Sequence, residues 1–238
     1  MFDPLIHVSW SAGLLWLAGI TVAAFLVSWL LSDLRPTRRV FYIPALSVVT
    51  GALTAGYLAW DGGGVSFWTN RWGYGLVGAV GAGIFLTAVL RRGRVRSSEP
   101  GSITAGTLGW DGLVYGAAEG LLLSVLPVLV VYQMLFSNGW DGGWSLFGAA
   151  TLALVASIVV IVAHHLGYPD FRSSRVKMGQ AILGCGVLSL AYLLTASVIA
   201  PILAHAALHV AVTRFGMELP PHEEAKQAPL GSRFSEAA

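Results

Sequence analysis

The chain has 238 residues, of which 55% are apolar and only 11% charged, against about 25% charged in a typical soluble protein. Its formal net charge is +2 and its mean hydropathy +0.71. These values exclude an ordinary soluble domain, and the weak, clustered charge gives no reason to expect a nucleic-acid partner. The lone cysteine, Cys185, cannot form an internal disulfide and reads as a small packing residue.

Windows of about 20 apolar residues mark bilayer-crossing helices. The sequence predicts seven. They run over about Val8–Leu31, Val40–Trp60, Trp72–Leu90, Gly112–Phe136, Trp144–His165, Met178–Leu194 and Ser197–Thr213. The start Met1-Phe2-Asp3-Pro4 lacks a basic leader region, so the first apolar run is expected to persist as a helix. Only Thr195-Ala196-Ser197 separates the last two spans, which requires a tight turn, with Pro201 in the first turn of the seventh helix.

Direction follows from the basic residues in short loops. Arg35, Arg38 and Arg39 fall between spans one and two. Arg91, Arg92, Arg94 and Arg96 fall between three and four, and Arg172, Arg175 and Lys177 between five and six. Arg214, Lys226 and Arg233 follow span seven, and the alternate loops hold only Arg71. The expectation is an all-α polytopic bundle over residues 1–214, with its N-terminus outside and its C-terminus cytoplasmic. A bacterial cytoplasmic membrane is the expected location. Residues 215–238, with Pro220-Pro221 and Glu223-Glu224, read as a disordered cytoplasmic tail. Three Trp-Asp-Gly triplets begin at Trp60, Trp110 and Trp140. The topology puts them on both sides of the membrane, so they read as interfacial tryptophans before turns or caps rather than as one site.

Ionisable groups inside a span are costly and therefore informative. Glu119 is the only carboxylate well inside a span, on the order of 12 Å from the start of its helix. His164 and His165 end the fifth span, and His205 and His209 lie in the seventh. All five fall in the cytoplasmic half. His205 and His209 are spaced i, i+4 and share a helix face. Glu119, His165 and His205 are the expected functional set, with His209, His164 and Ser124 as supporting or alternative members, although His164 by itself reads first as a packing or interfacial residue. A buried glutamate beside imidazoles suits activation of water, or a divalent metal such as zinc held by Glu119, His165, His205 and His209. Two histidines on different helices also suit a haem iron.

The second half of the chain, residues 111–212, resembles the CAAX prenyl protease and bacteriocin-processing family of intramembrane proteases, whose members carry EExxxR, FxxxH and HxxxN on separate helices. Ala118-Glu119-Gly120-Leu121-Leu122-Leu123-Ser124 meets the first pattern, with Gly120 for the second glutamate and Ser124 for the arginine. Ile161-Val162-Ala163-His164-His165 meets the second, with Ile161 for phenylalanine, and Ala204-His205-Ala206-Ala207-Leu208-His209 the third, with His209 for asparagine. The resemblance implies an endopeptidase in which Glu119, His165 and His205 are catalytic and the substrate is a peptide or membrane protein entering from the cytoplasmic leaflet. The loss of the second glutamate and the arginine equally fits a relative that has abandoned proteolysis and serves as a non-catalytic subunit of a larger membrane complex.

Overall fold

The computed structural model describes residues 7–31, 38–61, 64–92 and 104–214. The tail 215–238 lies outside the described residues, as do Arg35, Arg94, Arg96 and Gly62 of the first triplet. Every regular element among the described residues is helical. We number them α1 (Trp10–Leu31), α2 (Arg38–Asp61), α3 (Gly64–Thr69) and α4 (Trp72–Arg92). The long α5 follows (Leu108–Ser137), then α6 (Gly143–Leu166), α7 (Pro169–Ser173), α8 (Arg175–Thr195) and α9 (Ile199–Arg214).

Six of these helices are long and apolar enough to cross a membrane, and the chain is an integral membrane protein of the all-α class. The expected seventh span is α9, helical but only 16 residues long. At 1.5 Å per residue it reaches roughly 24 Å, short of the hydrocarbon thickness of about 30 Å. Two short helices were not legible in the apolar windows. These are α3, and α7 in the connection between α6 and α8. The turn between α8 and α9 is as tight as expected. Ala196 closes α8 in the left-handed region at φ 54°, its N–H bonded to Tyr192 O, and its carbonyl accepts from Asn70 Nδ2 at 3.2 Å.

Packing is inverted relative to a soluble protein. Large apolar side chains such as Leu15, Val77, Val80 and Ile84 are exposed, which a bilayer satisfies and water does not. The core is α5, whose Leu122, Leu123, Val125 and Leu126 are wholly buried. Two stretches, Thr107–Val114 where α5 begins and Gly120–Val125 within it, wind as wider π turns on either side of the ordinary turn Tyr115–Glu119. Such insertions loosen the regular i→i−4 ladder and are common where a helix carries function. Hydroxyls support the backbone here. Ser157 Oγ donates to Leu123 O at 2.7 Å, and Ser124 and Ser189 donate to Cys185 O.

Polar contacts set the helix directions. At one end, the backbone of Val8 bonds Ser137 and Asn138, and Asp61 Oδ2 accepts from Gln133 Nε2 at 3.3 Å. At the other end, Ser28 donates to His164 O at 2.6 Å and Tyr42 meets Tyr168. The spans therefore alternate in direction. The basic positions that begin α2 and α8 and end α4 and α9 fall together at this second end. The Trp-Asp-Gly triplets separate accordingly. Trp60-Asp61 ends α2 and Trp140-Asp141-Gly142 precedes α6, but Trp110-Asp111-Gly112 lies inside α5 rather than in a turn.

Two glycines bring α9 onto α5. A Cβ at Gly116 would stand 2.7 Å from Ala206 N, and one at Gly120 would stand 3.4 Å from the carbonyl of Pro201. This Gly-x-x-x-Gly step lets two backbones touch, as small residues do in membrane helix pairs. Replacing Gly116 by valine forces α9 away, at a cost on the order of 1–3 kcal/mol or more from overpacking. The expected outcome is a lower thermal midpoint for the detergent-purified variant. Gly19→Val should lie near wild type, because nothing lies within 4 Å of a Cβ at that position.

Candidate functional site

The carboxylate of Glu119 sits at the junction of α2, α5, α6 and α9. Tyr115 and Glu119 are one turn apart on α5, and the Tyr115 hydroxyl donates to Oε1 at 2.7 Å. His164 Nε2 lies 3.3 Å from the same oxygen. The second oxygen, Oε2, faces α9. His205 Nε2 lies 3.1 Å from it and His209 Nε2 3.5 Å. The two α9 rings are parallel, 5° apart with centroids 4.9 Å apart, as the i, i+4 spacing requires. Tyr115 also lies against His209, with ring centroids 4.5 Å apart.

His164 is fixed from two sides. Its Nδ1 is 3.0 Å from Ala24 O. A carbonyl only accepts, so Nδ1 carries the hydrogen and Nε2 is turned to Glu119. The hydroxyls of Tyr42 and Tyr168 each stand 3.4 Å from Nε2 and also contact one another. The close passage of α1 that supplies Ala24 O depends on Gly167, where a Cβ would collide with Ser28.

Burial makes this a high-energy place for a charge. Glu119 is 6% exposed, His205 3% and His164 0%. An isolated carboxylate there would cost several kcal/mol. Its neighbours, three imidazoles and a phenol, can compensate only by sharing protons with it or by holding a cation between them.

The structure thus brings together Glu119, His205, His209 and His164, and it sets His165 apart from them. The family register sets His165 opposite Glu119, yet His164 occupies that place. His165 turns back on its own helix, donating from Nδ1 to Ile161 O at 2.8 Å, and packs against Phe171. Adjacent residues on a helix differ by about 100°, so only one of the two can face α5. Ser124, at the arginine position of the family pattern, bonds Cys185 O and takes no part in the cluster. Three residues that contact the site, Tyr42, Tyr115 and Tyr168, escaped sequence reading. Tyr115 had a usable signal, its i, i−4 spacing to Glu119. The other two reach the site only through the fold.

An apolar groove of about 710 Å³ runs along α4 and α9, lined by Leu76, Val80, Gly83, Leu203 and Ala207 among others. Leu203 and Ala207 alternate with His205 and His209 at two-residue steps, so the groove lies on the opposite face of α9 from Glu119. Comparison of the chain with known protein families, with curated proteins and with solved structures found no match.

The asymmetry between the adjacent histidines is measurable. Leucine at 164 strands Oε1 with fewer partners and removes the bond to Ala24 O. The expected loss is about 1–3 kcal/mol, seen as a lowered unfolding midpoint in detergent. His165→Leu should lose distinctly less. Equal losses would contradict the placement of the two rings.

Proposed function

We propose that the chain is an intramembrane hydrolase of the CAAX-protease type, cleaving a peptide or membrane protein, with Glu119 at the centre of its site. The observation that carries this reading is the clamped carboxylate: one oxygen on Tyr115 and His164, the other on His205 and His209. A carboxylate among imidazoles, held away from bulk water, is suited to take a proton from water as that water attacks a peptide carbonyl. An imidazole beside it is suited to return the proton to the leaving amine. His164, rather than His165, is the α6 histidine in this scheme. The cluster lies at the end of the bundle that carries the arginines, and the bias of basic residues to cytoplasmic loops puts it in the cytoplasmic leaflet, with the N-terminus outside.

Two of the four motif departures, Gly120 and Ser124, fit the packing. Gly120 stands where the family carries a second glutamate, and α9 crosses there, a Cβ at this position already touching the backbone of Pro201 at 3.4 Å. Without that acid, no arginine is needed to balance it, and Ser124 suffices.

The enclosure of the site favours a second reading, a non-catalytic subunit of the same fold. Glu119 and His164 are almost completely covered, and the groove opens on the far side of α9. Haem is not favoured, because His164 and His205 converge on opposite oxygens of one carboxylate with no slot between them for a porphyrin.

The test reconstitutes the protein in liposomes with fluorescence-quenched transmembrane peptides, with and without a prenylated C-terminal cysteine. Wild type should cleave at least one of them, and Glu119→Ala should lose at least about 100-fold of that rate, the scale of a positioned acid or base. Equal cleavage by both proteins would remove the catalytic role. Co-purification of an inactive protein with a stoichiometric membrane partner would favour the second reading.

A further inference from the structure

The Glu119 cluster divides into two halves with different chemistry. We propose that the α9-facing half is a site for one divalent transition-metal ion of the zinc type, bound by Glu119 Oε2 and the Nε2 atoms of His205 and His209. This deepens the hydrolytic reading and rests on it for its functional meaning: with an ion bound, Glu119 would serve as a ligand and the ion would supply the activation of water that the carboxylate supplies alone, but the test does not depend on turnover.

The geometry carries the assignment. The donor atoms of Glu119, His205 and His209 lie within 4.8 Å of one another. Oε2 is 3.1 Å from one Nε2 and 3.5 Å from the other. Ligand atoms about 2.0–2.1 Å from a tetrahedral zinc ion stand roughly 3.3–3.4 Å apart. Separations of 3.1 and 3.5 Å bracket that spacing, so one ion can be shared by Oε2 and both imidazole nitrogens. The donor types fit as well. Two imidazoles and one carboxylate suit zinc and its first-row neighbours, and three protein ligands leave a fourth position for water or substrate. Paired histidines at i, i+4 on one helix recur in zinc proteases, although here the carboxylate comes from a second helix.

The other half of the cluster is what such an ion requires around it. Tyr115 and His164 occupy Oε1, so the carboxylate cannot rotate and Oε2 alone is presented to α9. Outer contacts of this kind set ligand orientation, and their loss typically weakens binding roughly 10- to 100-fold. An ion also answers the charge problem, since a divalent cation compensates a buried carboxylate while its two histidine ligands, His205 and His209, stay neutral. His209 is decisive. The asparagine of the family pattern in that position is a poor zinc ligand, so this chain has a donor set that the pattern itself does not.

The experiment strips the full-length, detergent-purified protein with a chelator and titrates it with Co²⁺, following the visible ligand-field absorption, then displaces Co²⁺ with Zn²⁺. One equivalent should bind, and zinc should bleach the band. His209→Asn and Glu119→Gln should each weaken binding at least about 10-fold, and Tyr115→Phe, which keeps all three donors, roughly 10-fold. His165→Gln should bind as wild type does. Size exclusion and circular dichroism establish that each protein is folded; if the ligand variants do not fold, Tyr115→Phe against His165→Gln decides alone. Wild type that binds no Co²⁺ while folded would overturn the proposal, as would Tyr115→Phe or His209→Asn binding with unchanged affinity. Peptidase activity in metal-free protein would sink the ion but not the hydrolase. Stoichiometric metal with no cleavage would do the reverse.

Discussion

A carboxylate enclosed in a bilayer-spanning bundle has few means of support, and Glu119 uses them on both oxygens. Water is excluded by the burial of α5, and the neighbouring groups are imidazoles and phenols rather than fixed cations. The surrounding architecture follows from that need. α1 contributes a carbonyl to hold His164, α2 and the segment after α6 contribute tyrosines, and α9 contributes two imidazoles. Removing any one partner leaves the others paired to a poorly compensated charge, which is why such networks are costly to break.

Close backbone approach is the second condition. His205 and His209 reach Oε2 only because α9 rests on Gly116 and Gly120, with no side chain between the helices. The π turns on either side of Tyr115–Glu119 act with the glycines. A wider turn changes the rotational register along α5, so Tyr115 and Glu119 face the cluster, Gly116 and Gly120 face α9, and Ser124 faces the Cys185 carbonyl on α8. The serines of α6 and α8 then hydrogen-bond carbonyls along this part of the core.

A second polar group sits at the opposite end of the bundle. Asp61 meets Gln133, which also accepts from Tyr57, all three being buried. It joins α2 to α5 at that end, as the Tyr42–His164 contact joins α2 to α6 at the other. The two ends of α2 are thus tied to different partners, and hydrogen bonds fix the relative directions of α1, α2, α5 and α6.

The helices in these windows, their order and the membrane class were determined by the sequence alone, although α9 is shorter than the seventh span expected there. Long apolar runs with short basic punctuation have few other solutions, and the predicted limits of α1, α2, α4, α6, α8 and α9 agree with the observed helices within a few residues. Glu119 and the i, i+4 pair His205 and His209 were legible for the same reason, since ionisable residues within apolar windows stand out. The choice between His164 and His165 was not. Both lie in the same window, and which one faces α5 depends on the rotation of α6, set by Gly167 at its end and by Ala24 and Ser28 on a helix about 140 residues earlier in the chain. Gly120 read as a lost glutamate until the fold showed α9 passing over it. Periodicity reports what a single helix can present; which face meets which neighbour is decided by packing between helices, and that information lies in no local window.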